Sequence, residues 1–339
     1  MSFANLPPEI FHLILGYLIC DQKSLSSLCA VDRRTYSVSY PLLYQSVTLV
    51  SHQAVSAFCQ AHVLGIRQPI YSPYLTVLNI GPKWRVRIDN SGYRLSRDHA
   101  PYLRRALRNL ENLKSLSLSV TPKALILLLN ELVVPFKLES FVHSGRFSAP
   151  LLGFLEGQPL ITHLGWHGTA SEMDVNSLCK LLESNITILP KLEALDGPLQ
   201  LLTSLLLLRP ISRITITQTE FPGNLGKFIE TLQRATGPIT RLCVCEDEYI
   251  WPTWTKIALM AQSTCLPSTL KQLYIAESPT KVMYERLYQK ISVRLLSSTL
   301  ASTCFGALEK FELTSTYSTR WHLPPLVCVH GPPSEDCAT

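Results

Sequence analysis

Residues 113–118 read Leu-Lys-Ser-Leu-Ser-Leu, and how that phrase is read decides the fold. Its pattern is apolar, two residues, apolar, one residue, apolar. The end, with Ser117 between Leu116 and Leu118, has the period of two that a strand with one buried face requires. Shortly after it, Thr121-Pro122 opens the stretch Thr121–Leu132. A hydroxyl side chain followed by proline is a helix-start signal, because proline at the first helical position has no helical N–H bond to lose. Strand then helix makes a unit with an apolar side that only a neighbouring layer can cover.

The phrase recurs along the chain. Strong copies are Leu75-x-x-Leu78-x-Ile80, Ile161-x-x-Leu164-x-Trp166, Ile211-x-x-Ile214-x-Ile216, Ile239-x-x-Leu242-x-Val244, Leu270-x-x-Leu273-x-Ile275 and Leu308-x-x-Phe311-x-Leu313. Weaker copies are Leu138-x-x-Phe141 and Leu192-x-x-Leu195. The central positions lie about 29 residues apart, with gaps from 19 to 38. Helical stretches fall between them: a helix within residues 50–66, then Pro101–Leu110, Ser171–Leu182, Pro222–Arg234 and Lys281–Leu300. Repetition at this period is the mark of a stacked α/β array. The phrase is similar to that of degenerate leucine-rich repeats, although the Asn or Cys expected after the strand is mostly missing. A doubly wound α/β domain shares the alternation, but its Gly-rich first turn is absent. The expected fold is α/β: an all-helical N-terminal segment, then a leucine-rich-repeat-like solenoid with a parallel sheet.

In such an array the residue between the last two apolar positions faces outward. Those residues are Asn79, Ser117, Gly165, Thr215, Cys243, Tyr274 and Glu312, with Thr217, Cys245 and Ala276 beside them by the period of two. They form the expected substrate-binding surface. Glu246-Asp247-Glu248 at one end suits a basic ligand or a solvated loop.

The N-terminal segment reads differently. Leu6, Ile10, Leu13, Ile14, Tyr17 and Leu18 follow helical spacing, and Phe11 with Leu15 makes a second apolar line, so this helix requires burial on more than one side. Asp21 with Ser24 starts a second helix bearing Leu25 and Leu28, with Val31 beyond. Asp32 opens a polar turn or third helix that Pro41 is expected to break. Leu43 and Tyr44 follow, and Val47 with Leu49 suggests a short strand. A unit of about 45 residues is too small to bury this much apolar surface alone.

The run Leu6-Pro7-Pro8-Glu9-Ile10, with Ile14, Leu18, Leu25, Leu28, Val31 and Leu43-Tyr44, resembles an F-box. Ala30-Val31-Asp32-Arg33-Arg34 stands where the family often has Val-Cys-Arg-Arg. The resemblance implies a substrate-recognition subunit of a cullin–RING, SCF-type ubiquitin ligase. It would dock the S-phase-kinase-associated adaptor protein that links F-box proteins to a cullin scaffold, and would hold an unknown protein substrate for degradation. By position, the adaptor-binding residues it implies are Leu6, Pro7, Ile10, Ile14, Leu18, Leu25, Val31, Leu43 and Tyr44. Such a subunit is not an enzyme and supplies only geometry. The alternative is a non-ligase interaction scaffold whose N-terminal helices are a cap.

Composition fits either reading. Of 339 residues 58 are Leu, while charged residues make up 17%. That excludes a disordered chain, which combines low hydrophobicity with high net charge. The net charge of +6 is modest for a nucleic-acid binder, although Arg85, Arg87, Arg94, Arg97, Arg104, Arg105 and Arg108 cluster within 84–108. The purely apolar runs, Ala124–Leu129 and Leu205–Leu208, are far short of a membrane span, and Ile10–Cys20 is a poor signal peptide. A cytoplasmic or nuclear protein is expected, with no membrane and no nucleic-acid partner. Ten Cys show no disulfide or zinc spacing. His163 and His167 are four apart, which suits a metal only on a helix, and no hydrolase or zinc-helix motif occurs. No catalytic residue, metal or cofactor is expected. The expected domains are 1–48 (the F-box-like helices), 49–70 (a linker helix), 71–320 (the repeats) and 321–339 (a loose tail).

Overall fold

The computed structural model describes residues 7–18, 21–63, 72–81, 95, 98–144, 146–167, 172–218, 224–245, 260–261, 266–277, 301 and 303–315. The chain forms two compact units, Met1–Leu160 and Ile161–Thr339.

The first unit begins with helices α1 (Pro8–Leu18), α2 (Gln22–Cys29) and α3 (Arg33–Leu43). Asp21 caps α2, its carboxylate accepting from the Lys23 and Ser24 backbone N–H groups and the Ser24 hydroxyl. Asp32 and Thr35 cap α3 reciprocally, each side chain accepting from the other's backbone N–H. The expectation that Pro41 ends the third helix fails, since α3 runs on to Leu43. Pro41 lies in the final turn, so it forfeits a single N–H bond just before the helix stops.

Four strands follow, with a helix after each: β1 (Ser46–Leu49), α4 (His52–Val63), β2 (Val77–Ile80), α5 (His99–Leu107), β3 (Ser115–Leu118), α6 (Pro122–Leu129), β4 (Ser140–His143) and α7 (Ala149–Glu156). The strands pair in parallel in chain order, and Val47, Leu78, Leu116 and Phe141 stand in one register row. Thus α4, read in the sequence as a linker helix, is a crossover between two paired strands.

The second unit repeats the scheme with β5 (His163–Trp166), α8 (Glu172–Ser184), β6 (Ala194–Pro198), α9 (Leu199–Leu205), β7 (Arg213–Gln218), α10 (Asn224–Gln233), β8 (Arg241–Cys245), β9 (Gln272–Glu277) and β10 (Lys310–Ser315). Again every pairing is parallel and sequential, with Leu164, Leu195, Ile214, Leu242, Leu273 and Phe311 in one row. The doubly wound alternative is thereby excluded in both units, because that topology reverses its strand order at a switch point.

All nine central positions of the sequence phrase fall on strands. The first apolar residue of each copy from Leu75 to Leu270 is buried just ahead of its strand, and Leu308 ahead of β10 is half-buried. One backbone device recurs between successive strands within each unit. Two consecutive N–H groups donate to one carbonyl on the preceding strand's entrance: Lys114 and Ser115 to Thr76, Ser212 and Arg213 to Glu193, Thr240 and Arg241 to Ser212, Lys271 and Gln272 to Thr240. This fork sets the register at the entrance and leaves loop length free, which accounts for the uneven spacing in the sequence.

Gly81 closes β2 in the left-handed region at φ 97°. A side chain there would collide with the Ser119 carbonyl on the next strand, so only glycine fits.

Candidate functional site

Two surfaces stand out, one in each unit. The first is on α1. Phe11 and Leu15 pack with Leu25 and Leu28 into a core that Leu18, Val38, Leu42 and Leu43 extend. Helical geometry then turns the neighbouring apolar line outward. Ile10, Leu13 and Tyr17 are 46%, 58% and 80% exposed, and Val31 beyond α2 is 56% exposed. Spacing of i, i+3 and i+7 places the first three on one face.

The residues implied by the F-box resemblance divide accordingly. Pro7, Ile10 and Val31 are exposed, while Ile14, Leu18, Leu43 and Tyr44 are half-buried. Leu25 is fully buried and belongs to the core that supports this face. Leu6 lies outside the described residues. Leu13 and Tyr17, which the resemblance does not single out, are the most exposed members of the α1 stripe. Their helical periodicity was the available signal, but it does not separate the buried face from the open one. The Tyr44 ring lies 4.7 Å from that of Tyr40 and tilted by 53° to it, and Tyr40 also meets Tyr36 and Tyr74.

The second surface is the open face of the strands. The register brings Asn79 beside Ser117 in the first unit, where the Asn79 amide donates to the Thr48 hydroxyl at 3.3 Å. In the second unit it aligns Gly165, Asp196, Thr215, Cys243, Tyr274 and Glu312 in one row. The expected substrate-binding residues are therefore neighbours within each unit. Asp196 was missed because β6 carries a weak copy of the phrase, with Gly197 at its last apolar position.

Asp196 lies 2.8 Å from the His163 Nε2. Burial alone would raise its carboxyl, but hydrogen bonds from His163 and Thr215 and the charge of His163 outweigh that and hold it below its ordinary value. His167 follows β5, and burial lowers its imidazole to about 4, with Asp196 opposing and His163 reinforcing. His163 and His167 thus sit on a strand and just past it, not on one helical face. Among the described residues no group of three or more His, Cys, Asp or Glu could hold a metal.

The thiols offer little nucleophilic character. Burial raises Cys29 and Cys179, and pushes Cys59 up to about 11, so all three stay protonated near neutrality. Of the arginine cluster, Arg104 and Arg108 donate to the Leu127 and Glu131 carbonyls at the end of α6. They serve a helix C-terminus, where cations are favoured. Residues 84–94 and 246–248, which hold the other notable charge runs, lie outside the described residues, as do 281–300 and 321–339. No helix of the described residues is long and apolar enough to cross a membrane.

No protein-family model matches the chain, and no curated protein is significantly similar to it.

Proposed function

We propose that this protein is the substrate-recognition subunit of an SCF-type cullin–RING ubiquitin ligase. In this reading α1 and its neighbours form an F-box that docks the S-phase-kinase-associated adaptor protein, and the stacked strands hold the target. The observation that carries it is the exposed line Ile10, Leu13 and Tyr17 on a helix whose opposite face already has a complete core. An N-terminal cap would turn its polar side outward. This helix turns an apolar stripe outward, and contiguous exposed apolar residues mark interaction surfaces. The chemistry would belong to the assembled ligase. The subunit contributes effective concentration by holding target and ubiquitin donor together.

The test is capture of the purified adaptor by the full chain. Wild type is expected to retain it, and Ile10→Asp with Tyr17→Asp to lose it while keeping the same circular dichroism. A folded wild type that does not capture the adaptor overturns the reading and leaves the scaffold alternative.

A further inference from the structure

On the second unit's open strand face, the row preceding Thr215, Cys243, Tyr274 and Glu312 is Arg213, Arg241, Gln272 and Lys310, aligned across four consecutive strands. Arg213 and Arg241 stand directly opposite each other. Like charges in that position repel, so the fold carries an unfavourable pair that nothing in the sheet requires. Their surroundings neutralise them only in part. Arg213 reaches Glu193 at 3.6 Å, and Lys310 reaches Glu312 at 3.2 Å, with all four side chains partly in solvent. Among the described residues Arg241 has no carboxylate partner. Its guanidinium lies 4.8 Å from the centre of the Tyr274 ring, and the Lys310 ammonium lies 5.1 Å from the same centre. The Tyr274 hydroxyl donates to Gln272 Oε1 at 3.4 Å. One aromatic ring thus gathers two cations and restricts their motion before any ligand arrives.

We infer that Arg213, Arg241 and Lys310, organised around Tyr274, form a docking site for an extended acidic peptide segment of the target protein. The inference rests on the proposed receptor reading and names the chemistry of the target it would hold. Charge complementarity selects the occupant: Arg241 has no carboxylate partner among the described residues, the Arg213–Glu193 and Lys310–Glu312 pairs are partly solvated, and Asp196, on the same face, is engaged by His163. The dimensions agree. Three interstrand steps of about 4.8 Å separate Arg213 from Lys310 by about 14 Å, and residues i and i+4 of an extended segment are about 13–14 Å apart. Anionic side chains at alternate positions of a segment laid across the strands would therefore meet the row. Nucleic acid is the poorer fit. Three cations make a short track for a phosphate backbone, and Tyr274, already bearing two of them, is not open as a base-stacking platform.

The test is selection of random twelve-residue peptides from a displayed library on the full-length protein. Selected sequences should be several-fold enriched in Asp and Glu at alternate positions. A synthetic peptide from the selection should lose at least tenfold in affinity to Arg241→Glu, several-fold to Arg241→Gln, and progressively with added salt. Replacing its Glu residues by phosphoserine separates the two sources of negative charge: tighter binding marks a phosphate reader and weaker binding a carboxylate reader, and both support the site. Selection without acidic enrichment, an acidic peptide that binds Arg241→Glu unchanged, or displacement of the peptide by a single-stranded oligonucleotide at lower concentration would overturn it. Adaptor capture is measured on the same preparations. Loss of the peptide with retained adaptor in Arg241→Glu assigns the face by itself, whereas a wild type that binds peptide but no adaptor refutes only the receptor reading.

Discussion

Buried imidazoles give the residue scale its clearest consequence. Burial lowers His62, on α4 against Phe58, to about 4, and lowers His167 to the same value. In the unfolded chain each titrates near 6.5. A folded value below the unfolded one means that only the unfolded chain takes up protons between those limits. The stability these groups contribute is complete above about pH 6.5 and is lost as pH falls toward 4. Asp196, held low by His163, adds a loss of the same sign once pH drops below the ordinary carboxylate range. The expected outcome, read from urea unfolding, is a free energy of unfolding lower at pH 5 than at pH 7.5 by roughly 1–2 kcal/mol for each histidine, with the midpoint falling accordingly. His167→Gln should flatten part of the slope. Equal midpoints at the two pH values would show that neither ring is shielded. Neither position reveals desolvation in the sequence, because desolvation depends on residues far along the chain.

At the scale of the element, the parallel ladder was legible and the intervening structure less so. The strand phrase works because its period of two and its leading apolar residue report the same two facts in every repeat: which face is buried, and where the entrance fork forms. Copies as weak as Leu138-x-x-Phe141 and Leu192-x-x-Leu195 still mark strands, because the buried pair is enough to hold register. Helices α7 and α9, eight and seven residues long, escaped because neither has the side-chain N-cap that announces the equally short α2 and α6. Pro41 misled for a local reason, since its effect depends on how near the helix end it falls. The two faces of β3 give a sharp contrast to measure. Leu116 is fully buried in the register row, and the half-exposed Ser117 follows it. Leu116→Ala is expected to destabilise by about 2–5 kcal/mol, through lost burial and the cavity left behind. Ser117→Ala is expected to stay within about 0.5 kcal/mol. Denaturant unfolding of the two variants checks this, and similar losses would mean that both sides of the strand are covered.

For the whole molecule, the distribution of exposed apolar side chains matters more than their number. Beyond the first helices, among the described residues, they are mostly scattered: Val50, Tyr102, Val133, Ile186 and Leu207 lie apart, and Ile126 with Leu127 on α6 is an adjacent pair, each 40% exposed. Scattered residues of this kind are normal on any surface. On α1 they are successive positions of one face. No intrachain element described covers that face, so a ligand bound there adds to a core that is already complete and does not rearrange it. This has a thermodynamic signature distinct from a capture assay. A partner that binds only the folded state raises the free energy of unfolding by RT ln(1 + [L]/Kd), about 2.7 kcal/mol at a hundredfold excess over Kd. Purified adaptor at that excess should therefore shift the thermal midpoint of the full chain upward by several degrees. Leu13→Asp with Tyr17→Asp should leave the midpoint of the free protein nearly unchanged, since both side chains are already in water, yet abolish the shift. Leu25→Ala should do the reverse: it lowers the free midpoint by removing a core contact and preserves an adaptor shift as long as the helices hold. If the Asp pair instead lowers the free midpoint as Leu25→Ala does, the stripe is serving the protein's own stability, and the N-terminal helices are a cap.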